Sequence, residues 1–176
     1  GIQLMSMNLL LEDSKESVLW RGPVIAGVVA QFWSEVMWVD VDYMFLDLPP
    51  ETGDVPLTVL QGLPVDGIVI VTSPQDLVGM IVEKAVVMAK MMKVPVLTLV
   101  ENMSYYVCPK CGDIHEVFGE SHVKETAERF DINSFIRLPI NPDAARLVDC
   151  GRVEDIDCDY VSAMADLVLN NPRLEK

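Results

Sequence analysis

The most distinctive chemistry in this sequence lies in two thiols three positions apart, Cys108-Pro109-Lys110-Cys111, followed directly by Gly112. Such a turn points successive amides at sulfur and brings two thiolates onto one ion, a geometry suited to zinc or iron. Two thiolates do not complete a four-ligand site. The others would come from this chain (Cys150, Cys158 or His115) or from the same pair in a second subunit, where a two-fold axis doubles the set. A thioredoxin-like redox pair is the main rival. It usually opens a helix, whereas Pro109, Gly112 and the preceding Tyr105-Tyr106 point to a loop. A purely structural metal knuckle remains open beside these.

A second stretch, Asp47-Leu48-Pro49-Pro50-Glu51-Thr52-Gly53-Asp54, follows the short apolar run Tyr43-Met44-Phe45-Leu46. An aspartate that ends a buried strand beside a phosphate site is where a nucleotidase holds Mg²⁺ or that ion's water. The loop beyond it then senses the terminal phosphate. On the strand-end signal alone, a Pro-rich exit with solvated acids is the better reading. Single residues carry less. His115 and His122 read as surface histidines, and Cys150 and Cys158 as one buried and one surface thiol. Met80, Met88, Met91 and Met92 read as helix-core packing, and Trp20, Trp33 and Trp38 as packing around an early helix.

The elements that must position these residues alternate between strand and helix. The opening residues, Tyr43–Leu46, Gly67–Val71 and Val94–Val100 read as strands. The last two runs are rich in β-branched residues and do not alternate, as in a parallel sheet buried on both faces. Helical spacing runs from Asp76 to Met92 and from Arg21 to Trp33, the latter after an acidic loop at Glu12–Glu16. Ser121–Phe130 reads as a helix capped by Ser121. Phe135–Leu138 reads as an edge strand, Asp143–Asp149 as a short helix after Pro142, and Asp157–Asn170 as a terminal helix. This order predicts an α/β fold with a doubly wound, mostly parallel sheet flanked by helices, and ligands gather beyond the strands' carboxyl ends in such folds.

Composition narrows the partners. Across 176 residues, 13 lysines and arginines oppose 27 aspartates and glutamates, a net charge of −14. So acidic a surface repels phosphate backbones and anionic lipid, which argues against nucleic-acid or membrane partners. No apolar run is long enough to span a bilayer, and the start lacks a signal peptide's pattern. Four cysteines, two in a metal-type spacing, fit a reducing, cytoplasmic setting better than a disulfide scaffold.

With these residues in view, the chain resembles the Mrp/ApbC family, relatives of MinD and ParA among the P-loop ATPases. The resemblance runs from about Gly1 to Asp155. It rests on Met5-Ser6-Met7, Trp20-Arg21-Gly22-Pro23, Asp47-Leu48-Pro49-Pro50, Thr52-Gly53-Asp54-Val55-Pro56-Leu57-Thr58, Thr72-Ser73-Pro74-Gln75, Val100-Glu101-Asn102-Met103-Ser104-Tyr105, the cysteine pair and Phe118-Gly119-Glu120. Each motif is weak alone, and their order and combination are specific.

The resemblance implies a dimeric P-loop NTPase fold (SIMIBI-type). It implies a labile [4Fe–4S] cluster held between subunits by Cys108 and Cys111 and passed to apo iron–sulfur proteins. It makes Asp47 the Walker B-like aspartate and places Thr52, Gly53 and Asp54 in the switch loop. Asn102 becomes the adenine contact, and Pro139, within Leu138-Pro139-Ile140, flanks the base. ATP and Mg²⁺ are then the cofactors of the intact protein, with zinc as the alternative metal at the thiols.

Two departures qualify this. The family's glycine-rich G-K-G-G-V-G-K-[ST] loop is absent, and the usual D-L-P-P-G-T-G-D carries Glu51 at its glycine. Without the loop there are no cradling amides, no phosphate-binding lysine and no hydroxyl for Mg²⁺. The expectation is a single partial domain over 1–176, the carboxyl-terminal part of such an ATPase. It would lack the first strand and the phosphate loop, carry its metal-binding loop at about 102–120, and be inactive toward ATP by itself. Outside the carrier class stand a structural-zinc module and a MinD/ParA-like positioning ATPase. The acidic charge and the lack of a basic amphipathic terminal helix count against the latter.

Overall fold

A computed structural model describes residues 1–10, 22–49, 53–156, 159–171 and 174. The chain divides into two compact units, Gly1–Val65 and Asp66–Lys176.

The second unit is built on a parallel sheet. Strand β1 (Ile68–Thr72) pairs with β2 (Val96–Val107), which pairs on its other side with β4 (Phe135–Pro139). A two-residue strand, β3 (Ile114–His115), folds back antiparallel on the far end of β2. Helix α3 (Asp76–Met92) crosses from β1 to β2, and α4 (Val123–Phe130) precedes β4. Helices α5 (Pro142–Asp149) and α6 (Asp159–Leu169) follow, and α6 lies against β2. The α/β architecture with a parallel sheet flanked by helices is the one the sequence predicts.

Apolar patterning explains the core. Val96 to Glu101 is buried without alternation, as a central strand covered on both faces must be. Leu99, fully buried, packs with Ile70, Val82, Val86, Ala89, Val123, Ala127 and Ile132. Gly67 permits close approach here, because a Cβ at that position would sit 2.5 Å from the Leu97 side chain. Both α3 and α4 end in a left-handed residue, Lys93 (φ 59°) and Asp131 (φ 59°). The next amides, of Val94 and Ile132, bond back to Ala89 and Ala127 and return an apolar residue toward the sheet. Helix α5 starts where Pro142 supplies a preset φ and the Asn141 side chain accepts from the Ala144 amide at 3.0 Å.

Several elements differ from expectation. Among the described residues β1 is an outer strand, so Val71 is 64% exposed although its run reads as buried on both faces. On α3 the buried stripe is Val82, Val86 and Ala89, while Met80 and Met91 face solvent. Methionine's tolerance of either setting hides that distinction in the sequence. The N-cap of α4 is His122 rather than Ser121, and it makes no side-chain capping bond.

The first unit holds α1 (Gly22–Ser34) and α2 (Asp54–Gly62), which touch each other. Its opening residues are irregular up to a 3-10 turn at Met7–Leu9, not a strand. Nor does Tyr43–Leu46 form one, and Phe45 is 77% exposed. An isolated strand cannot satisfy its own backbone, and no described strand pairs with this segment. Gln3 instead ties the opening residues to Val39 through both its amide nitrogen and its amide oxygen. Trp38 donates from Nε1 to the Phe32 carbonyl at 3.0 Å, anchoring the exit of α1, whereas Trp33 is exposed. Trp20, Arg21 and Glu12–Glu16 lie outside the described residues. Among the described residues no helix is long and apolar enough to cross a membrane.

Candidate functional site: a sheet-end bulge and a cysteine hairpin

Beyond Glu101, β2 stops running in register. Its pairing with β4 shifts between Glu101 and Tyr105, leaving Asn102, Met103 and Ser104 out of the ladder. The Asn102 carboxamide oxygen accepts from the Met103 amide at 2.9 Å, and Met103 takes a left-handed φ of 55°. A short polar side chain bonding its neighbour's backbone is what lets a non-glycine residue hold that conformation. The bulge turns Asn102 and Met103 outward and Ser104 fully inward. The ladder resumes with Tyr105 opposite Pro139, and the Ile140 amide donates to the Tyr105 carbonyl at 2.7 Å. Asn102 and Pro139, both predicted beside a base, thus share one end of the sheet.

Past the bulge, Tyr106 pairs with His115 and Val107 with Ile114, and the cysteines form the hairpin's tip. The Gly112 amide donates to the Cys108 carbonyl at 2.9 Å, and the Cys108 amide to the Asp113 carbonyl at 2.9 Å. Gly112 sits at φ 78°, where a side chain would be strained. No helix starts here, so the loop geometry argued from Pro109 and Gly112 is present and the thioredoxin arrangement is not.

The two thiols differ electrostatically. The amides of Cys111 and Lys110 point at the Cys108 sulfur and hold its pKa below the ordinary value. Cys111 is pushed the other way, chiefly because its thiol donates to the Asp113 carboxylate at 3.1 Å. Cys108 is half-buried and Cys111 exposed. The two sulfurs thus differ in the ease with which they lose a proton, Cys108 giving its up more readily than Cys111. Among the described residues no three His, Cys, Asp or Glu side chains are grouped to hold a metal ion. Cys150 and His115 are exposed and belong to no such group, and Cys158 lies outside the described residues. The two thiols supply soft donors of the kind zinc and iron–sulfur clusters take, and by themselves two of the four ligands such a site needs.

The other predicted residues lie in the first unit. Asp47 is exposed in an irregular segment rather than at a strand end. Gly53 is the N-cap of α2 and Asp54 its first residue, an acid placed favourably at the helix's positive end. Thr52 and Glu51 lie outside the described residues.

Sequence reasoning passed over the charged network beneath the bulge. Glu101 is 2% exposed, accepts from the Ser104 hydroxyl, and lies 3.6 Å from Arg137 Nε. Arg137 Nε donates to Ser104 Oγ at 2.7 Å, and its Nη2 reaches Glu116 at 2.6 Å. The guanidinium also stands over the Tyr105 ring, 5.5 Å from its centroid. A signal was available: an acid directly after the apolar run ending at Val100, and a lone arginine inside the apolar run Phe135–Leu138.

In an open, parallel α/β sheet ligands gather beyond the carboxyl ends of the strands, and the bulge and the two-cysteine hairpin lie at that end of β2. Comparison with known proteins makes the assignment specific. Residues 1–170 match the family model described as ParA, NUBPL iron-transfer P-loop NTPase. The chain belongs to that family. It is 40% identical over 152 residues to an iron-sulfur cluster carrier protein of Methanocaldococcus jannaschii, covering 86% of this chain and 52% of that one. A Clostridium perfringens protein of the same name is 43% identical over 155 residues, covering 88% and 54%. A nucleotide-binding protein from Archaeoglobus fulgidus, solved with ADP and with cobalt found, superposes with a TM-score of 0.72 at 44% identity. That superposition covers 78% of this chain and 57% of the other. The chain thus spans about half the length of the curated relatives it matches.

Proposed function

We propose that this chain binds an iron–sulfur cluster as cargo and delivers it to apo iron–sulfur proteins. Cys108 and Cys111 hold a [4Fe–4S] cluster together with the same pair from a second copy, in a cytoplasmic homodimer. The observation that carries this reading is the pair's place at an exposed hairpin tip, with no third ligand grouped beside it among the described residues. A closed structural-zinc site needs four ligands in one place, whereas a transferable cargo needs an open, shared one.

In a protein of the relatives' full length, ATP and Mg²⁺ complete the machinery. Asp47 serves the metal, Thr52, Gly53 and Asp54 form the phosphate-sensing switch, and Asn102 with Pro139 receives the base. This sequence contains no glycine-rich lysine loop, so the chain by itself releases phosphate from ATP at background rate.

Anaerobic reconstitution with iron and sulfide tests the cargo. The expected result is a broad visible absorbance that disappears in a Cys108→Ala, Cys111→Ala double variant. Unchanged absorbance in that variant overturns the assignment. Tightly bound zinc with no iron uptake replaces it with the structural-zinc reading.

A further inference from the structure

The cysteine hairpin is held by very little of its own ladder. Strand β3 contributes two residue pairs, and a two-stranded ribbon of that size is marginal by itself in water. Yet a site that shares a metal with a second copy needs its sulfurs fixed to a fraction of an ångström. The restraint has to come from outside the hairpin.

Arg137 is placed to supply it. It lies on β4 and forks two ways, Nε to Ser104 in the bulge and Nη2 to Glu116, the residue directly after β3. Ser104 passes the connection on to the buried Glu101 carboxylate. The result is an unbroken polar chain, Glu101–Ser104–Arg137–Glu116, from the sheet's buried centre to the hairpin's returning strand. Stacking on Tyr105, between bulge and hairpin, fixes the guanidinium plane. Neutralising Glu101 alone would require only the Nε side of the fork. The shorter ion pair is the one to Glu116, at 2.6 Å against 3.6 Å for Glu101.

We propose that Arg137 is a positioning residue for the metal pair: through Glu116 it locks the Cys108–Cys111 hairpin to the bulge that carries Asn102. Bulge and hairpin then move as one body, and a ligand bearing on Asn102 is felt at the sulfurs. The functional half rests on the reading of Cys108 and Cys111 as the metal pair. The mechanical half does not.

Glu116→Ala is the decisive variant, because it cuts the link to the hairpin and leaves the Glu101–Arg137 pair intact. In the metal-free chain, hydrogen exchange at the Tyr106, Cys108 and His115 amides, which face the hairpin ladder, should rise about tenfold, with Val96 to Leu99 unchanged. Co²⁺, a spectroscopic probe for thiolate coordination, should bind the variant about tenfold more weakly, the usual size of an outer-shell loss. Arg137→Lys keeps the charge but not the fork and should reproduce the hairpin effect while retaining most of the stability. Unchanged hairpin exchange in Glu116→Ala overturns the proposal and reduces Arg137 to a counter-ion for Glu101. If the unaltered chain binds no Co²⁺, the metal reading fails, and the exchange result still decides the mechanical one.

Discussion

Two stretches of this chain carry equally specific motifs, and their structural support differs. Asn102 to Glu116 grows out of the most buried of the described strands, is interrupted by a stabilised bulge, and is braced by an ion pair from the neighbouring strand. Asp47 to Asp54 follows a run of apolar residues with no ladder partner among the described residues; Asp47 to Pro49 are irregular, and α2 begins at Asp54. A motif is a list of side chains, whereas a site needs a backbone whose hydrogen bonds are already satisfied. The first stretch meets that condition. The second meets it, among its described residues, at Gly53 and Asp54, where α2 begins.

The contrast can be broken by core substitutions. Leu99→Ala, at a fully buried position in β2, should lose about 2–5 kcal/mol in urea unfolding. Phe45→Ser, in the unpaired segment, should stay within about 0.5 kcal/mol. A comparable loss at Phe45 would show that the segment is packed in solution, and the difference drawn here would collapse.

Chemistry at the hairpin tip sharpens the comparison further. Cys108 has its pKa lowered by two amides, so its alkylation rate should begin to rise at lower pH than that of Cys111, whose proton is held by Asp113. Asp113→Asn removes the carboxylate that raises Cys111, and its alkylation at neutral pH should accelerate toward that of Cys108. Mass spectrometry of each modified peptide reads both rates, and identical pH profiles for the two thiols would contradict the assignment. The smallest effect belongs to α2. Gly53 caps it without a side-chain bond, so Gly53→Ser should raise stability by only a few tenths of a kcal/mol.

Much of the sheet unit was legible because local and tertiary demands agree there. The run at Gly67–Val71, the spacing through Asp76–Met92 and the Pro142 start of α5 each had one physical reading, and the structure has the same elements. Tyr43–Leu46 was misread because strand propensity reports a wish to be paired, while pairing depends on a neighbour that propensity does not contain. The cysteine turn could be seen from Pro109 and Gly112. Its seat on a continuation of β2 could not, since the bulge at Asn102–Ser104 interrupts the pattern that would have extended the strand. Arg137 and Glu101 escaped for a related reason. Each looks like an ordinary charge at the margin of an apolar run, and only the β2–β4 register brings them together.

The length of β2 has a mechanical consequence. From Val100, the last apolar residue of its buried run, to Cys108 the chain covers at most about 26 Å at a strand's rise per residue. This makes it a lever arm, with its fulcrum in the core and the sulfurs at its free end. A tilt of about 5° at the fulcrum swings the tip by about 2 Å, close to the length of one metal–sulfur bond. Small angular play that would pass unnoticed in the sheet is therefore magnified at the cysteines, and on the proposed reading it becomes the difference between reaching a shared ion and missing it.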